Sequence, residues 1–131
     1  MTSISLTFDT SGLIELLDAC TQDGLDALDF GVIGFDADAV VQRYNAYESQ
    51  AAGLSPQRVL GEPMFVHVAP CLNNFMVAQR FEDAADAADE GSELDDIIDY
   101  VLTLRMRPVK VKLRLLASAT GATRYVLVQR R

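Results

Sequence analysis

The fold is decided by a stretch near the C-terminus, VKVKLRL at residues 109–115. Apolar side chains stand at every second position, and Lys110, Lys112 and Arg114 fill the positions between them. A period of two is typical of a strand that buries one face and exposes the other. The pattern therefore predicts a half-buried antiparallel strand and places a sheet at the centre of the fold.

Four further strands are predicted around this one. Residues 93–106 are rich in β-branched and aliphatic side chains, and residues 124–129 follow a Thr-Gly-Ala turn. Nearer the N-terminus, two extended runs at residues 30–35 and 39–44 flank the polar turn at residues 36–38. Such a pair of runs around a tight polar turn is typical of a β-hairpin. Together these segments predict a five-stranded antiparallel sheet.

Helices are predicted before the sheet and between its second and third strands. Asn45 is a candidate cap for a helix over 46–52, Ser55 precedes a proline that begins a second one, and residues 75–89 form the longest. The first 28 residues predict an N-terminal helical cap, whose apolar anchors are Leu13, Leu16, Leu17, Leu25 and Leu28.

The predicted organisation is an α+β fold in a single domain. Residues 1–28 form the cap, and residues 29–131 form a core in which the helices gather on one face of the sheet. A curved sheet covered in this way leaves a pocket between the sheet and the connecting segments. The cap has few apolar anchors, so we expect it to be the part that detaches first.

Composition narrows the classes of function. The 131 residues are 50% hydrophobic and carry a formal net charge of -8. This is not the composition of a disordered chain, and the acidic balance disfavours nucleic acid as a partner. No segment has the pattern of a signal peptide or a membrane span. We expect a cytoplasmic protein with reduced thiols and no membrane or nucleic-acid partner.

Charge is unevenly distributed along the chain. Nine acidic residues and no basic residue lie from Glu82 to Asp99. After Asp99, every charged residue is basic. One interpretation is an acidic and a basic binding face. The interpretation we favour is two solvated surfaces of one fold, which could lie beside each other and attract weakly.

Residues suited to chemistry are few. There is no Gly-rich phosphate loop, no Gly-x-Ser-x-Gly elbow and no set of zinc ligands. The single histidine, His67, precedes Cys71 by four residues, but Pro70 disfavours a shared helical face. Cys20 lies on the apolar stripe of a predicted helix, whereas Cys71 follows an irregular segment beside the predicted pocket. Tyr44 and Glu48 are one helical turn apart and project to the same side.

Several segments resemble the photoactive yellow protein family, blue-light sensors of the PAS superfamily. The resemblance covers about residues 24–131 and is most specific in Tyr-Asn-Ala-x-Glu and Val-Ala-Pro-Cys. The matching segments are LDALDFGVI at 25–33, YNAYE at 44–48, VLG at 59–61, VAPC at 68–71 and MRPVKVK at 106–112.

The resemblance implies a PAS fold and a p-coumaric acid (4-hydroxycinnamic acid) chromophore joined to Cys71 by a thioester. It implies that Tyr44 and a protonated Glu48 donate hydrogen bonds to the buried phenolate, and that the Cys71 N–H binds the thioester carbonyl. The other cofactor-binding positions that it implies are Ile33, Ala52, Leu54, Val68, Ala69, Leu72, Leu102, Leu104 and Met106.

The same resemblance implies a photocycle. Light isomerises the chromophore from trans to cis, and the phenolate then takes the proton of Glu48. The unpartnered buried carboxylate stores free energy that loosens the cap, and Met106 assists the return in the dark. Three positions depart from the family pattern: Ala52 replaces a hydroxyl residue, Leu54 an arginine and Leu104 an aromatic residue.

Three classes of function are compared. The first is a blue-light photoreceptor, not an enzyme, which is a monomer or weak dimer and signals to a separate partner that the sequence does not reveal. The second is a PAS module for ligand binding or dimerisation that has no chromophore. The third is a thiol enzyme that uses Cys71 with His67. The joint presence of Tyr44, Glu48 and Cys71 favours the first.

Overall fold

The computed structural model describes residues 7–86, 93–104, 107–118 and 123–130. Its centre is a five-stranded antiparallel sheet with the strand order β2-β1-β5-β4-β3. The strands are β1 (Gly31–Phe35), β2 (Val41–Tyr44), β3 (Leu94–Leu104), β4 (Arg107–Ala117) and β5 (Arg124–Gln129). The predicted sheet is confirmed, and the VKVKLRL stretch lies in β4 between two neighbours.

The helical segments follow the predicted order. The cap contains α1 (Leu13–Ala19) and α2 (Gln22–Asp26), and the segment between β2 and β3 contains α3 (Ala46–Ala52), α4 (Pro56–Val59) and α5 (Ala78–Asp86). Between α4 and α5 lie a π-helical turn (Met64–Val68) and a 3₁₀ turn (Pro70–Leu72). The longest helix therefore starts three residues later than predicted, and positions 87–89 lie outside the described residues.

The two faces of the sheet are buried against different layers, because successive side chains of a strand point to opposite faces. On β1, Ile33 and Phe35 pack against the central helical segments, whereas Val32 packs against the cap. On β5, Val126 and Val128 belong to the first face and Tyr125 and Leu127 to the second. We call these the pocket face and the cap face.

Apolar and polar contacts both hold the cap on the cap face. Its apolar cluster contains Phe8, Leu13, Leu17, Leu25, Phe30, Val32, Leu116, Tyr125 and Leu127. Arg114 donates to the carbonyls of Phe8 and Thr10 at 2.9 and 2.7 Å. Arg43 donates to the carbonyls of Leu17 and Cys20 at the end of α1. Of the predicted anchors, Leu13, Leu17 and Leu25 are buried and Leu16 and Leu28 are partly exposed.

The acidic and basic segments do lie beside each other. Asp99 of β3 stands opposite Lys112 of β4 in the antiparallel register. Arg114 binds the Asp95 carboxylate with two hydrogen bonds of 2.8 and 2.9 Å. The alternating pattern predicted that Arg114 is exposed, but its residue exposure is only 5% because the cap covers it. The prediction of a solvated basic face was therefore wrong at this position.

Candidate functional site

A narrow pocket lies between the pocket face and the central helical segments. The pocket is small: the space between its side chains, including its open mouth, is about 350 Å³. Its walls are formed by Ile33, Tyr44, Glu48, Ala52, Leu54, Val68, Ala69, Cys71, Leu72, Leu102 and Val128. The pocket is thus mostly apolar, with one thiol, one phenol and one carboxyl group.

Almost all of the site residues predicted from the sequence meet in this pocket. The other two predicted positions are Met106, which lies outside the described residues, and Leu104, of which only the backbone is described. Val128 was not predicted. It lies on the pocket face of β5 directly opposite Gly31. Residues 125–128 are apolar without interruption, so the sequence did not show which of them face the pocket.

Cys71 is placed by the turn that Pro70 begins. The side chain is partly buried against the core of the pocket face. The backbone carbonyl of Cys71 accepts hydrogen bonds from the Tyr100 hydroxyl at 2.6 Å and from Asn74 Nδ2 at 3.3 Å. Cys20 is also a free thiol, but it packs against the cap cluster on the other face of the sheet.

His67 does not pair with Cys71. Its Nδ1 lies 3.2 Å from a carboxylate oxygen of Glu62, and its side chain is 61% exposed. The π-helical turn Met64–Val68 buries Met64, Phe65 and Val68 and leaves His67 on the outside. A nucleophile and its base must be within hydrogen-bond reach of each other. The arrangement therefore gives no support to a Cys–His thiol enzyme.

Asn45 fixes the start of α3 and with it the position of Glu48. Its Oδ1 accepts from the backbone N–H groups of Glu48 and Val32 at 3.1 and 2.9 Å. Its Nδ2 donates to the carbonyls of Leu25 and Phe30, both at 2.9 Å. The predicted cap role of Asn45 is confirmed. In addition, one fully buried amide links the pocket helix to β1 and to the cap.

Tyr44 is buried at 1% exposure and lines the same pocket as Glu48. Its hydroxyl donates to the backbone carbonyl of Glu48 over a long 3.5 Å. Burial, and then the negative charge of Glu48, raise the pKa of the Tyr44 hydroxyl well above its ordinary value, although Arg130 acts in the opposite direction. Tyr44 is therefore a neutral hydrogen-bond donor at every physiological pH.

Glu48 has a partner that the sequence reasoning missed. Arg130 Nη1 and Nη2 donate to its two carboxylate oxygens at 2.7 and 2.9 Å. A carboxyl group that accepts through both oxygens in this way is ionised. The resemblance implied a neutral Glu48 whose carboxylate form would have no partner. The structure differs from this expectation, because Arg130 is a partner for that carboxylate. The proton-donor role of Glu48 stays a prediction.

The charge of Arg130 is stabilised in return. Burial acts to lower the pKa of its guanidinium, but the hydrogen bonds from Arg130 to Glu48 and the charge of Glu48 outweigh burial and raise it. Arg130 follows Val128 by two positions and so continues the pocket-face period of β5. Residues 125–128 are a continuous apolar run, so no alternation in the sequence indicated that Arg130 faces the pocket.

Residues 7–86, 93–104, 107–118 and 123–130 contain no group of three or more potential metal ligands. Within those same ranges, every helix is too short or too polar to cross a membrane.

Comparison with known proteins identifies the family of the chain and its fold. Residues 25–129 match the family model described as PAS fold. The chain is 33% identical over 106 residues to a photoactive yellow protein of Rhodothalassium salexigens, covering 81% of this chain and 82% of that one. It is 28% identical over 123 residues to the photoactive yellow protein of Halochromatium salexigens, covering 94% and 95%.

A solved structure agrees with these relatives. The photoactive yellow protein domain of the sensor histidine kinase Ppr from Rhodospirillum centenum superposes with a TM-score of 0.78 at 32% identity. The superposition covers 88% of this chain and 97% of that domain. With matching sequence, fold and coverage, the chain belongs to the photoactive yellow protein family of PAS-fold proteins.

Proposed function

We propose that this protein is a blue-light photoreceptor that carries a p-coumaroyl group as a thioester on Cys71. The observation that carries the proposal is the meeting of a thiol, a buried phenol and a buried carboxyl group in one pocket of a photoactive yellow protein relative. When bound, the group supplies a double bond that isomerises on absorbing blue light and a phenolate oxygen that accepts a proton.

The residues of the pocket fit that group chemically. A thiolate is the natural acceptor for an activated acyl group, and Cys71 is the thiol that lines the pocket. Apolar walls such as Leu72 and Leu102 exclude water from an aromatic ring. A buried phenolate needs strong donors, which Tyr44 and a protonated Glu48 would provide. The pocket is narrow, so loading requires its side chains to move apart.

The proposal gives the two donors different roles. Tyr44 keeps its proton, because burial holds its pKa high, and it orients the phenolate by donating a hydrogen bond. Glu48 is the group that moves a proton: its O–H bond breaks, and its electron pair stays on the carboxylate. The hydrogen bonds of Asn45 join Glu48 to α2 of the cap, which gives this change of charge a direct route to the cap. A separate partner would read the altered cap surface.

A chromophore-free PAS module is the alternative. It would need neither the thiol nor a buried acid beside a tyrosine, and no observation on the pocket favours it over the photoreceptor.

Attachment tests the proposal. Chromophore-free protein is incubated with an activated ester of p-coumaric acid, and the wild type is compared with Cys71→Ser and Cys20→Ser. We expect a mass increase of one acyl group and a yellow, light-bleachable product in the wild type and Cys20→Ser, and neither in Cys71→Ser. A stable adduct on Cys71→Ser would contradict the assignment. A wild type that takes up no chromophore would favour the alternative.

A further inference from the structure

The Glu48–Arg130 pair is buried at the carboxylate and largely buried at the guanidinium. The Glu48 side chain is 4% exposed and the Arg130 side chain 15% exposed. Removing two charges from water is expensive, and removing one charge without its partner is more so. The two parallel N–H···O bonds therefore compensate a carboxylate that has little access to water in its place.

The surrounding backbone is shaped to hold the carboxylate in this position. Glu48 comes from α3 and Arg130 follows β5, while Gly31 of β1 lies directly beside the Glu48 carboxylate. A Cβ atom on Gly31 would stand 2.0 Å from Glu48 Oε1 and 3.1 Å from its Cδ. The missing side chain of Gly31 thus makes the room that the carboxylate occupies. Residues from α3, from β1 and from the end of the chain segment that contains β5 therefore form the carboxylate site together.

The pair and the proposed function assign different states to Glu48. A proton donor to a phenolate must be a neutral acid, which keeps a hydrogen on one oxygen. A carboxylate that binds Arg130 through both oxygens has no such hydrogen. The structure shows the ionised arrangement bound to Arg130, and the proposed function adds a neutral one that faces the pocket.

We propose that Arg130 is the counter-ion of Glu48 and a positioning residue of the photocycle, an inference that rests on the proposed function. Arg130 binds the carboxylate in the chromophore-free protein. It gives the carboxylate up when Glu48 takes the proton of the incoming phenol O–H group, which leaves a phenolate and a neutral acid that donates to it. When the Glu48 O–H bond breaks, the proton goes to the phenolate oxygen and the electron pair stays on Glu48, which pairs with Arg130 again. Arg130 thereby stabilises the light-activated state and sets how long it lasts.

The first test uses the chromophore-free protein, so it does not depend on any photochemistry. Urea unfolding is measured for the wild type, Arg130→Gln, Glu48→Gln and the double variant. We expect the two changes to be coupled by about tenfold or more in the unfolding equilibrium constant, because each single variant leaves one buried charge alone. Additive effects would overturn the pairing.

Matched controls keep this test interpretable. Arg58→Gln removes the same charge from an exposed helical position and is expected to show no coupling with Glu48→Gln. If Arg130→Gln does not fold, Arg130→Lys keeps the charge and loses the paired geometry. Its coupling with Glu48→Gln is then expected to be smaller but not zero, because lysine makes a weaker pair with the carboxylate. Zero coupling would overturn the bidentate role.

The second test uses the chromophore-loaded protein. Without Arg130 the ionised form of Glu48 is less stable, so we expect Arg130→Gln to recover in the dark about tenfold faster than the wild type. Recovery that is unchanged or slower would overturn the role in the light-activated state. In infrared difference spectra, we expect Glu48→Gln to lose the carboxyl band that disappears in the light, and Arg130→Gln to keep it. A wild type that takes up no chromophore would refute the proposed function and the light-dependent half of this inference, while the first test still decides the pairing.

Discussion

The cap face and the pocket face each contain an arginine bound to a carboxylate by two hydrogen bonds, but the two pairs differ in their access to water. On the cap face Arg114 is buried, and the side chain of its partner Asp95 is 50% exposed. On the pocket face the side chain of Glu48 is only 4% exposed. Nη1 of Arg114 donates to two cap carbonyls, so this pair is part of the attachment of the cap.

The difference determines what each pair can do when it opens. Asp95 is solvated as soon as Arg114 leaves, so separation on the cap face has a moderate cost. The Glu48 side chain is shielded from solvent, so its carboxylate needs a bound partner in every state of the pocket. The pocket face is therefore suited to store free energy, and the cap face is suited to release a segment of the chain.

The largest effect is expected from adding a single methyl group on the pocket face. Gly31→Ala places a Cβ atom where the Glu48 carboxylate lies, so it must displace the carboxylate from Arg130. We expect a loss of about 3 kcal/mol in the free energy of unfolding of the chromophore-free protein. Urea denaturation monitored by circular dichroism measures it.

The matched change on the cap face separates this clash from a general effect of replacing glycine. Gly24 lies in α2, and a Cβ atom there would meet its nearest neighbours at 3.6–3.7 Å, an ordinary contact distance. Gly24→Ala is expected to be neutral or to stabilise by about 0.5–1 kcal/mol. Equal losses for the two variants would contradict the claim that Gly31 makes room for the carboxylate.

The second effect concerns the attachment of the cap. Arg114→Gln removes the hydrogen bonds to the Phe8 and Thr10 carbonyls together with the pair to Asp95. We expect a loss of about 2 kcal/mol in the free energy of unfolding, because Asp95 regains water but the carbonyls lose a charged donor. Lys112→Gln, an exposed position on the same strand, is the control and should stay within about 0.5 kcal/mol of the wild type. Similar losses in both would show that net charge is responsible.

The third effect is a difference in amide hydrogen exchange between the cap and the sheet when the loaded protein is illuminated. If ionisation of Glu48 is transmitted through Asn45, we expect amide hydrogen exchange in residues 7–28 to rise about tenfold under illumination of the loaded protein. The strands β4 and β5 should change much less. Unchanged exchange in the cap, with faster exchange elsewhere, would place the signalling surface on another part of the molecule.

Local patterns in the sequence predicted most of the fold and of the pocket. The alternation in β4 and the polar turn after β1 identify strands, and Asn45 identifies the start of α3. The burial of Arg114 could not be predicted, because a period of two shows which side chains share a face but not what covers that face. Arg130 was missed for a related reason: its partner lies in α3, and only the tertiary fold brings the two elements together.

The smallest effect is expected from a carboxylate on the surface, where water competes with every partner. Asp36 Oδ1 accepts from the backbone N–H groups of Val40 and Asp38 at 3.0 and 2.9 Å, and these hydrogen bonds, that of Val40 first, lower the pKa of Asp36 below its ordinary value. A lowered pKa in the folded state means that this contribution to stability is complete above about pH 4. It is lost as the pH falls through the pKa of Asp36 in the folded protein.

Asp36→Asn is therefore expected to be slightly less stable than the wild type at pH 7, with a smaller loss than Gly31→Ala or Arg114→Gln. The difference from the wild type should shrink towards pH 2.5. Urea unfolding at both pH values measures this, with Asp38→Asn as the control for removing one negative charge from the same turn. A difference that grows towards acidic pH would show that ionised Asp36 does not stabilise the turn, and the ordering of the carboxylates by burial would then fail at its exposed end.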